Sequence, residues 1–367
     1  MRRRDVVLGS GAAALTLGGA SYAWALRDGG YAASAQQSRS LKSPSQAPEF
    51  LDLVKAATLA ANSHNTQPWL FSQVGSTIRI APDLARRTPV VDPDDHHLFT
   101  SLGCASENLL IAAAAGGRSA DCAFDPAGNG SIGIDLARSG ASTGRDLFEA
   151  IPLRQSTRNI YAGRPVSAAT LTKLEGAARI EGCRLLLITE PPRIEQVLEL
   201  IVSANAAQVS DPAFVRELIG WIRFNAEDAA RHGDGLYSAC SGSPVLPSWA
   251  GHLLFPRLFT AKAENEKCIK QVRSSAGLAI FVADKADPEH WALTGRSFER
   301  FALQATALGL KLAFLNQPVE RAEFRPQLAS LIGVPGMRPD LVVRFGYGTA
   351  LPRSLRRPAE QVIQPAD

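Results

Sequence analysis

Ser63-His64-Asn65-Thr66-Gln67-Pro68-Trp69 follows an apolar stretch, Leu51 to Ala61, and Arg154-Gln155-Ser156-Thr157-Arg158 closes the first half of a chain of 367 residues. The spacing of Leu51, Val54 and Leu59 predicts a helix from Phe50 to Asn62. Pro68 ends that helix and fixes a turn, and Trp69 is large enough to anchor the turn in a core. Ser63, Asn65 and Gln67 offer hydroxyl and amide groups along the turn. Arg154, Ser156 and Arg158 place two guanidinium forks and a hydroxyl within five residues, a donor set suited to a phosphate.

Around these motifs the chain reads as globular. Hydrophobic residues make up 46% and charged residues 20%, enough to build a substantial core from one large or two ordinary domains. The net charge of +4 is too small, and too concentrated in Arg2, Arg3 and Arg4, to argue for nucleic acid. Residues 1–25 read as an export signal: a basic start, a Gly- and Ala-rich apolar run, and Ala23-Trp24-Ala25 as a cleavage site. Arg3-Arg4-x-Val6-Val7 resembles the twin-arginine signal, which implies translocation of the folded protein and an extracytoplasmic or periplasmic location. No later stretch reads as a bilayer span. Residues 26–46 read as a linker. The five cysteines show no C-x-x-C spacing and fix no disulfide pairing.

Periodicity predicts an alternation of helices and strands. Helices are expected over 101–115, 168–178, 193–206, 214–230, 294–308 and 321–331. Strands are expected over 77–80, 131–136, 183–189, 276–282, 310–315 and 340–348. The 210–259 segment, rich in turn residues with Trp221, Tyr237 and Trp249, reads equally as a lid or as a surface insertion. The helix that begins at Gly103 resembles the one that begins at Ser297, and each ends near a glycine, Gly116 or Gly309, a faint internal repeat.

In order and combination, the two opening motifs resemble the halves of the FMN site of the nitroreductase superfamily, over roughly residues 50–363, and its single-chain, Acg-like branch in particular. The resemblance implies an α+β fold, a mixed sheet with flanking helices, here as two tandem halves (47–150 and 151–367) forming an intramolecular pseudo-dimer that is monomeric. No second Arg-x-Ser-x-Arg cluster lies near the start of the first half, so one FMN per chain is expected. Arg154, Ser156 and Arg158 would hold the phosphate, joined by Arg356 or Arg357 of the C-terminal Arg353-Ser354-Leu355-Arg356-Arg357-Pro358 run. Ser63, Asn65 and Gln67 would face the flavin ring or its ribityl chain. His64 departs from the family pattern, and its role stays open between structure and catalysis. Asn316-Gln317-Pro318 echoes the first turn and is a third candidate contact.

The implied reaction is two-electron, ping-pong reduction of a small acceptor, nitroaromatic or quinone-like, with the donor open between NAD(P)H and a redox protein. The alternative on the same motifs is a protein that keeps FMN under a lid without turnover. A third class, an interaction protein that has lost its flavin, is disfavoured by the intact motif set. No side chain in the motifs reads as an obligatory general acid or base. Asp92, Asp94, Asp95, His96 and His97 match no standard zinc spacing and read as a helix N-terminus. There is no G-x-S-x-G elbow and no G-x-G-x-x-G, so neither a serine hydrolase nor a Rossmann nicotinamide domain is expected.

Overall fold

A computed structural model describes residues 30–43, 48–137 and 142–365; the expected export signal lies outside them. The first half carries α1 (30–38), α2 (Phe50–Thr58), β1 (Trp69–Val74), β2 (Thr77–Pro82), α3 (His96–Ala115), β3 (Ala120–Asp125), β4 (Ser131–Leu136) and α4 (Arg145–Ala150). The second carries α5 (Ala168–Ala177), β5 (Cys183–Ile188), α6 (Pro191–Val209), α7 (Pro212–Trp221), β6 (Ile222–Arg223), α8 (Ala226–His232) and β7 (Leu236–Tyr237). It continues with α9 (Ser248–Leu258), α10 (Ala261–Arg273), β8 (Gly277–Ala283), α11 (Pro288–Ala307), β9 (Lys311–Phe314), α12 (Gln317–Glu320), α13 (Arg325–Leu331) and β10 (Pro339–Gly346).

The fold is α+β, with two antiparallel four-stranded sheets of one topology. Strand order is β1-β2-β4-β3 in one and β5-β8-β10-β9 in the other: first, second, fourth, third in both. In each, the long helix sits between the second and third strands. The halves differ mainly between their first two strands. Gly75 at φ 59° makes a tight hairpin between β1 and β2, whereas α6 to α10 separate β5 from β8.

The two long helices form the most extensive element pair. They cross where neither has a side chain. A Cβ on Gly103 would lie 1.9 Å from the Ala292 carbonyl oxygen, and one on Gly295 would lie 2.0 Å from that of Thr100. The contact is reciprocal at a constant offset of 192 residues: 100 to 292, 103 to 295, and the helix starts 96 to 288. The left-handed glycines that stop the helices, Gly117 (φ 74°) and Gly309 (φ 76°), keep the same offset. Gly103 is therefore the equivalent of Gly295, two residues from the Ser297 with which the sequence repeat aligns it.

Each sheet is extended at one edge by a segment distant in the chain. The C-terminal tail pairs with β1, where Phe71 N donates to Val362 O (2.7 Å) and Gln364 N to Phe71 O (2.8 Å). The 154–158 segment pairs with β9, where Thr157 N donates to Leu312 O (2.8 Å). One core runs between the sheets around α3 and α11, and a second lies under α6, α10 and α13. Strands β8 and β10 are buried on both faces, while β3 alternates and leaves one face to water.

Several expectations change here. The helix expected from Phe50 to Asn62 ends at Thr58, ten residues before Pro68. Helix α11 begins at Pro288, six residues before the expected 294. Residues 30–38, read as linker, form a helix whose Tyr31 and Ala35 pack into a small cluster with Tyr237 and Leu355. The expected 214–230 helix is two, because Ile222–Arg223 leaves α7 to pair in parallel with Leu236–Tyr237. Helix α3 begins at His96, five residues early, and is long and apolar enough to cross a bilayer, yet it is almost wholly buried as the core helix.

Candidate functional site

The cavity between the halves begins at the C-terminal end of α2. A helix end leaves carbonyls without amide partners. Here arginines supply them. Arg356 donates from Nε to Thr58 O (2.8 Å) and from Nη2 to Ala60 O (3.1 Å) and Leu59 O (3.4 Å). Its Nη1 donates to Asn65 Oδ1 (2.7 Å) and to Leu355 O (3.2 Å). All five N–H groups of Arg356 thus point at the protein. Arg154 Nη2 donates to Leu59 O (3.2 Å), and its Nε stands 3.1 Å from Glu299 Oε1. Arg39, just past α1, donates from Nε to Pro152 O (3.0 Å) and from Nη2 to Arg154 O (2.5 Å). Arg39 and Arg154 keep N–H groups free for a ligand.

These three guanidinium groups are buried and face a single buried carboxylate, Glu299, which also accepts from Ala61 N (3.2 Å). Burial, then the neighbouring Arg356 and Arg154, holds Arg39 well below the ordinary arginine range. Burial and Arg154 bring Arg356 down to about 9. Burial pushes Glu299 up, against the pull of Arg154. Buried charge of one sign in excess is costly unless an anion balances it. A dianion such as a phosphate monoester makes up the difference of two charges.

The turn that follows α2 has different chemistry. The 63–67 turn holds three of the four non-glycine residues with positive φ among those described: His64 (46°), Asn65 (55°) and Gln67 (55°). Such backbone is costly and concentrates at functional positions. His64 lines the cavity, its Nδ1 buried and without a partner, and burial with Arg158 nearby lowers its pKa to about 4. Arg158 also lines the cavity, and its guanidinium makes no hydrogen bond to the described residues. Its charged neighbour is Glu320, not the Arg39 cluster. Glu320 accepts from Gln208 Nε2 (2.6 Å), lies 3.6 Å from His97 Nε2, and is raised by burial to about 7. Phe298, Phe314 and Leu341 give this end an apolar floor.

The roof is the β7 region of the 210–259 segment, contributing Leu236, Tyr237, Cys240 and Ser241. It is tied to the turn. Asn65 Nδ2 donates to Gly235 O (3.0 Å) and Gln67 Nε2 to Gly233 O (2.9 Å). Between those glycines, Asp234 pairs with Arg86 and with Arg223 Nη2 (2.7 Å). The cavity has a volume of about 140 Å³ and opens to solvent at its mouth.

Of the residues singled out from sequence, Ser63, Asn65, Arg154, Ser156, Arg158 and Arg356 line this one cavity. Gln67 and Arg357 do not. Gln67 is fully buried, its side-chain Oε1 accepting from Arg357 N (2.8 Å), and Arg357 turns toward Gln361 O (3.3 Å) and Asp83. Asn65 spends its whole amide on the roof, Leu355 O and Arg356, so it orients the arginine rather than reaching a ligand. Asn316 does line the cavity, with its Oδ1 holding Val342 N (2.9 Å), while Gln317 bonds Asn205 instead. The acids and histidines of 92–97 go separate ways. Asp92 caps α3 at His97 N and Leu98 N, Asp94 pairs with Arg338, Asp95 with Arg87, and His96 Nε2 with Asp340 Oδ1 (2.9 Å).

Arg39, Glu299, His97 and Glu320 were not expected. Arg39 continues the face of Tyr31 and Ala35 at four-residue steps, a signal present in the linker-like stretch. Glu320 stands three residues after Gln317, one turn along the short helix that the Asn316-Gln317-Pro318 motif opens.

No protein family's profile matches the chain. Over 324 residues it is 24% identical to the Mycobacterium tuberculosis proteins named Putative NAD(P)H nitroreductase Rv3131 (strain ATCC 25618 / H37Rv) and MT3217 (strain CDC 1551 / Oshkosh), covering 84% of this chain and 89% of each. Among solved structures it is similar to a nitroreductase with bound FMN from Bacteroides fragilis NCTC 9343 (19% identity, 55% of this chain and 88% of that one, TM-score 0.34). It is also similar to the FMN-dependent nitroreductase NfnB from Mycobacterium smegmatis in complex with NADPH (13% identity, 56% and 88%, TM-score 0.38).

Proposed function

We propose that this chain is an FMN-dependent oxidoreductase of the nitroreductase superfamily, a fused pseudo-dimer holding one FMN between its halves. The observation that carries the reading is the buried cluster of three arginines against one carboxylate, set in a cavity that is also lined by a strained turn and by Arg158. Similarity to two named nitroreductases over most of the chain supports it. So do the repeated sheet topology and the 192-residue offset of the long helices, as expected of two joined copies of one ancestral half.

Bound here, FMN would pass two electrons from a donor, NAD(P)H or a redox protein, to a small nitroaromatic or quinone-like acceptor. Arg39, Arg154 and Ser156 hold the phosphate, with Arg356 adding charge and bracing the end of α2. Arg158 is assigned here to the ring end rather than to the phosphate, on the ground that its charged neighbour is Glu320. Ser63 and His64 present hydroxyl and imidazole to that end. The proton on Glu320, facing His97, is available near neutral pH, so a proton donor is built into the wall. Residues 1–25 support twin-arginine export, tested by locating the protein in fractionated cells.

The roof's ties to Asn65, Gln67 and Arg86 favour a second reading, FMN retention without turnover. The FMN-loaded protein, mixed anaerobically with NADH, NADPH and dithionite, separates the two. Bleaching by a nicotinamide followed by reoxidation with a nitroaromatic or quinone supports the enzyme. Bleaching by dithionite alone supports retention. A protein that takes up no FMN overturns both.

A further inference from the structure

We propose that helix α9 and its flanks form a docking surface for an anionic phospholipid bilayer. Nine large apolar residues are exposed among those described, and four of them, Trp249, Leu253, Leu254 and Leu258, fall within ten residues on α9. Trp249 is 72% exposed and Leu258 64%. Scattered exposed apolar residues are ordinary; a contiguous set on one element marks an interaction surface.

The helix is fastened along one edge. Gly251 rests on the Phe224 ring, where a Cβ would come within 2.2 Å of ring carbon. Phe255 meets the same ring at 6.1 Å between centroids, and Asn225 Nδ2 donates to Ser248 Oγ (2.9 Å) at the first turn. The rest of its perimeter is open to water.

Charge selects the occupant. From residue 242 to 263 there is no aspartate or glutamate, while Arg257 and Lys262 are present. Trp and Leu beside Arg and Lys, with no acid, is the chemistry of a helix lying in a lipid headgroup layer. A second copy packed on this face by a twofold axis would set Arg257 and Lys262 near their own equivalents. An anionic lipid surface would attract them. The surface begins seven residues after the cavity roof, Ser241 to Ser248, so docking would set that roof beside the bilayer.

The test uses the full chain with phosphatidylcholine vesicles, with and without phosphatidylglycerol, read by flotation and by amide hydrogen exchange across 248–258. The expected result is slowed exchange in α9 with phosphatidylglycerol vesicles, about tenfold or more weaker partitioning for Leu253→Ser/Leu258→Ser, and loss of the phosphatidylglycerol preference in Arg257→Gln/Lys262→Gln. Circular dichroism confirms that the variants fold. Three results would overturn the proposal: α9 exchange unchanged by vesicles, protection that rises with protein concentration in their absence, or flotation of the double-serine variant equal to that of the original chain.

Discussion

Replacing Arg39 with Met separates ligand binding from folding. Arg39 makes two hydrogen bonds, both to backbone carbonyls, has no carboxylate of its own, and lies against Arg154 and Arg356. Losing the two bonds costs about 0.5–1.5 kcal/mol each. Removing a desolvated like charge from beside two others offsets that cost, and Met keeps the aliphatic stem packed. The stability of the ligand-free protein should therefore move by no more than about 1 kcal/mol. Binding is different. Arg39 has N–H groups left for a phosphate, and a charge-assisted bond is worth about 1.5–3 kcal/mol, or about 10- to 150-fold in affinity. Riboflavin lacks the phosphate, so its affinity should not change. The assay is fluorescence titration of FMN and riboflavin against the same preparations, with urea unfolding alongside. Equal weakening of both flavins, or an unchanged FMN affinity, would refute the phosphate assignment.

The contrasting Arg154→Met should lower FMN affinity and also destabilise the fold by about 3–5 kcal/mol, because it strands Glu299 without its cation; adding Glu299→Gln should restore most of that stability in urea titrations. Arg158→Ala should weaken FMN and riboflavin alike, by about 10-fold or more, since it acts at the ring end; an effect confined to FMN would return it to the phosphate group. Gly103→Ala and Gly295→Ala should each cost about 3 kcal/mol or more by forcing α3 and α11 apart, and a loss under about 1 kcal/mol for either would contradict the crossing geometry. Glu320, held by burial at about 7, keeps a proton in the native state that the unfolded chain releases near its ordinary value, so its contribution falls as pH rises toward 7 and stays lost above. His64, lowered to about 4, acts in the opposite sense, its contribution present above about 6.5 and lost as pH falls. Glu320→Gln should therefore lessen the loss of stability between about pH 4.5 and 7, measured by unfolding at each pH.

Period and punctuation made most of the frame legible. Ser131–Leu136 alternates cleanly, and it is a strand with those bounds. Gly116 and Gly309 marked the ends of the long helices in the sequence, although the left-handed residue after α3 is Gly117. What escaped was set by distant partners. Strand β3, Ala120–Asp125, is an edge strand in which Phe124 is the one strong strand former among Ala, Asp and Cys, held by its pairing to β4. Strand β1 hides behind a proline and is completed by the C-terminal tail, some 290 residues on. Helix α3 was started late because Asp92 to His97 look like a loop, whereas Asp92 caps the helix and His96 is buried against Asp340.

The site divides the same way. The residue types for an anion were visible in Arg154, Ser156 and Arg356. Which donors remain free was not, because that depends on Thr58, Leu59 and Ala60 carbonyls consuming those of Arg356. Gln67 looked like a ligand donor and instead holds the roof and the C-terminal strap, through Gly233 and Arg357. Both partners come from parts of the chain that no local pattern links to the turn.

The most direct measurement is flavin stoichiometry: the protein is saturated with FMN, separated from excess by size, denatured, and its released flavin and protein are quantified on a species of known mass. One FMN per chain on a monomer is the predicted result. No bound FMN, or a flavin that needs two chains to hold it, would contradict a single anion-anchored cavity between fused halves.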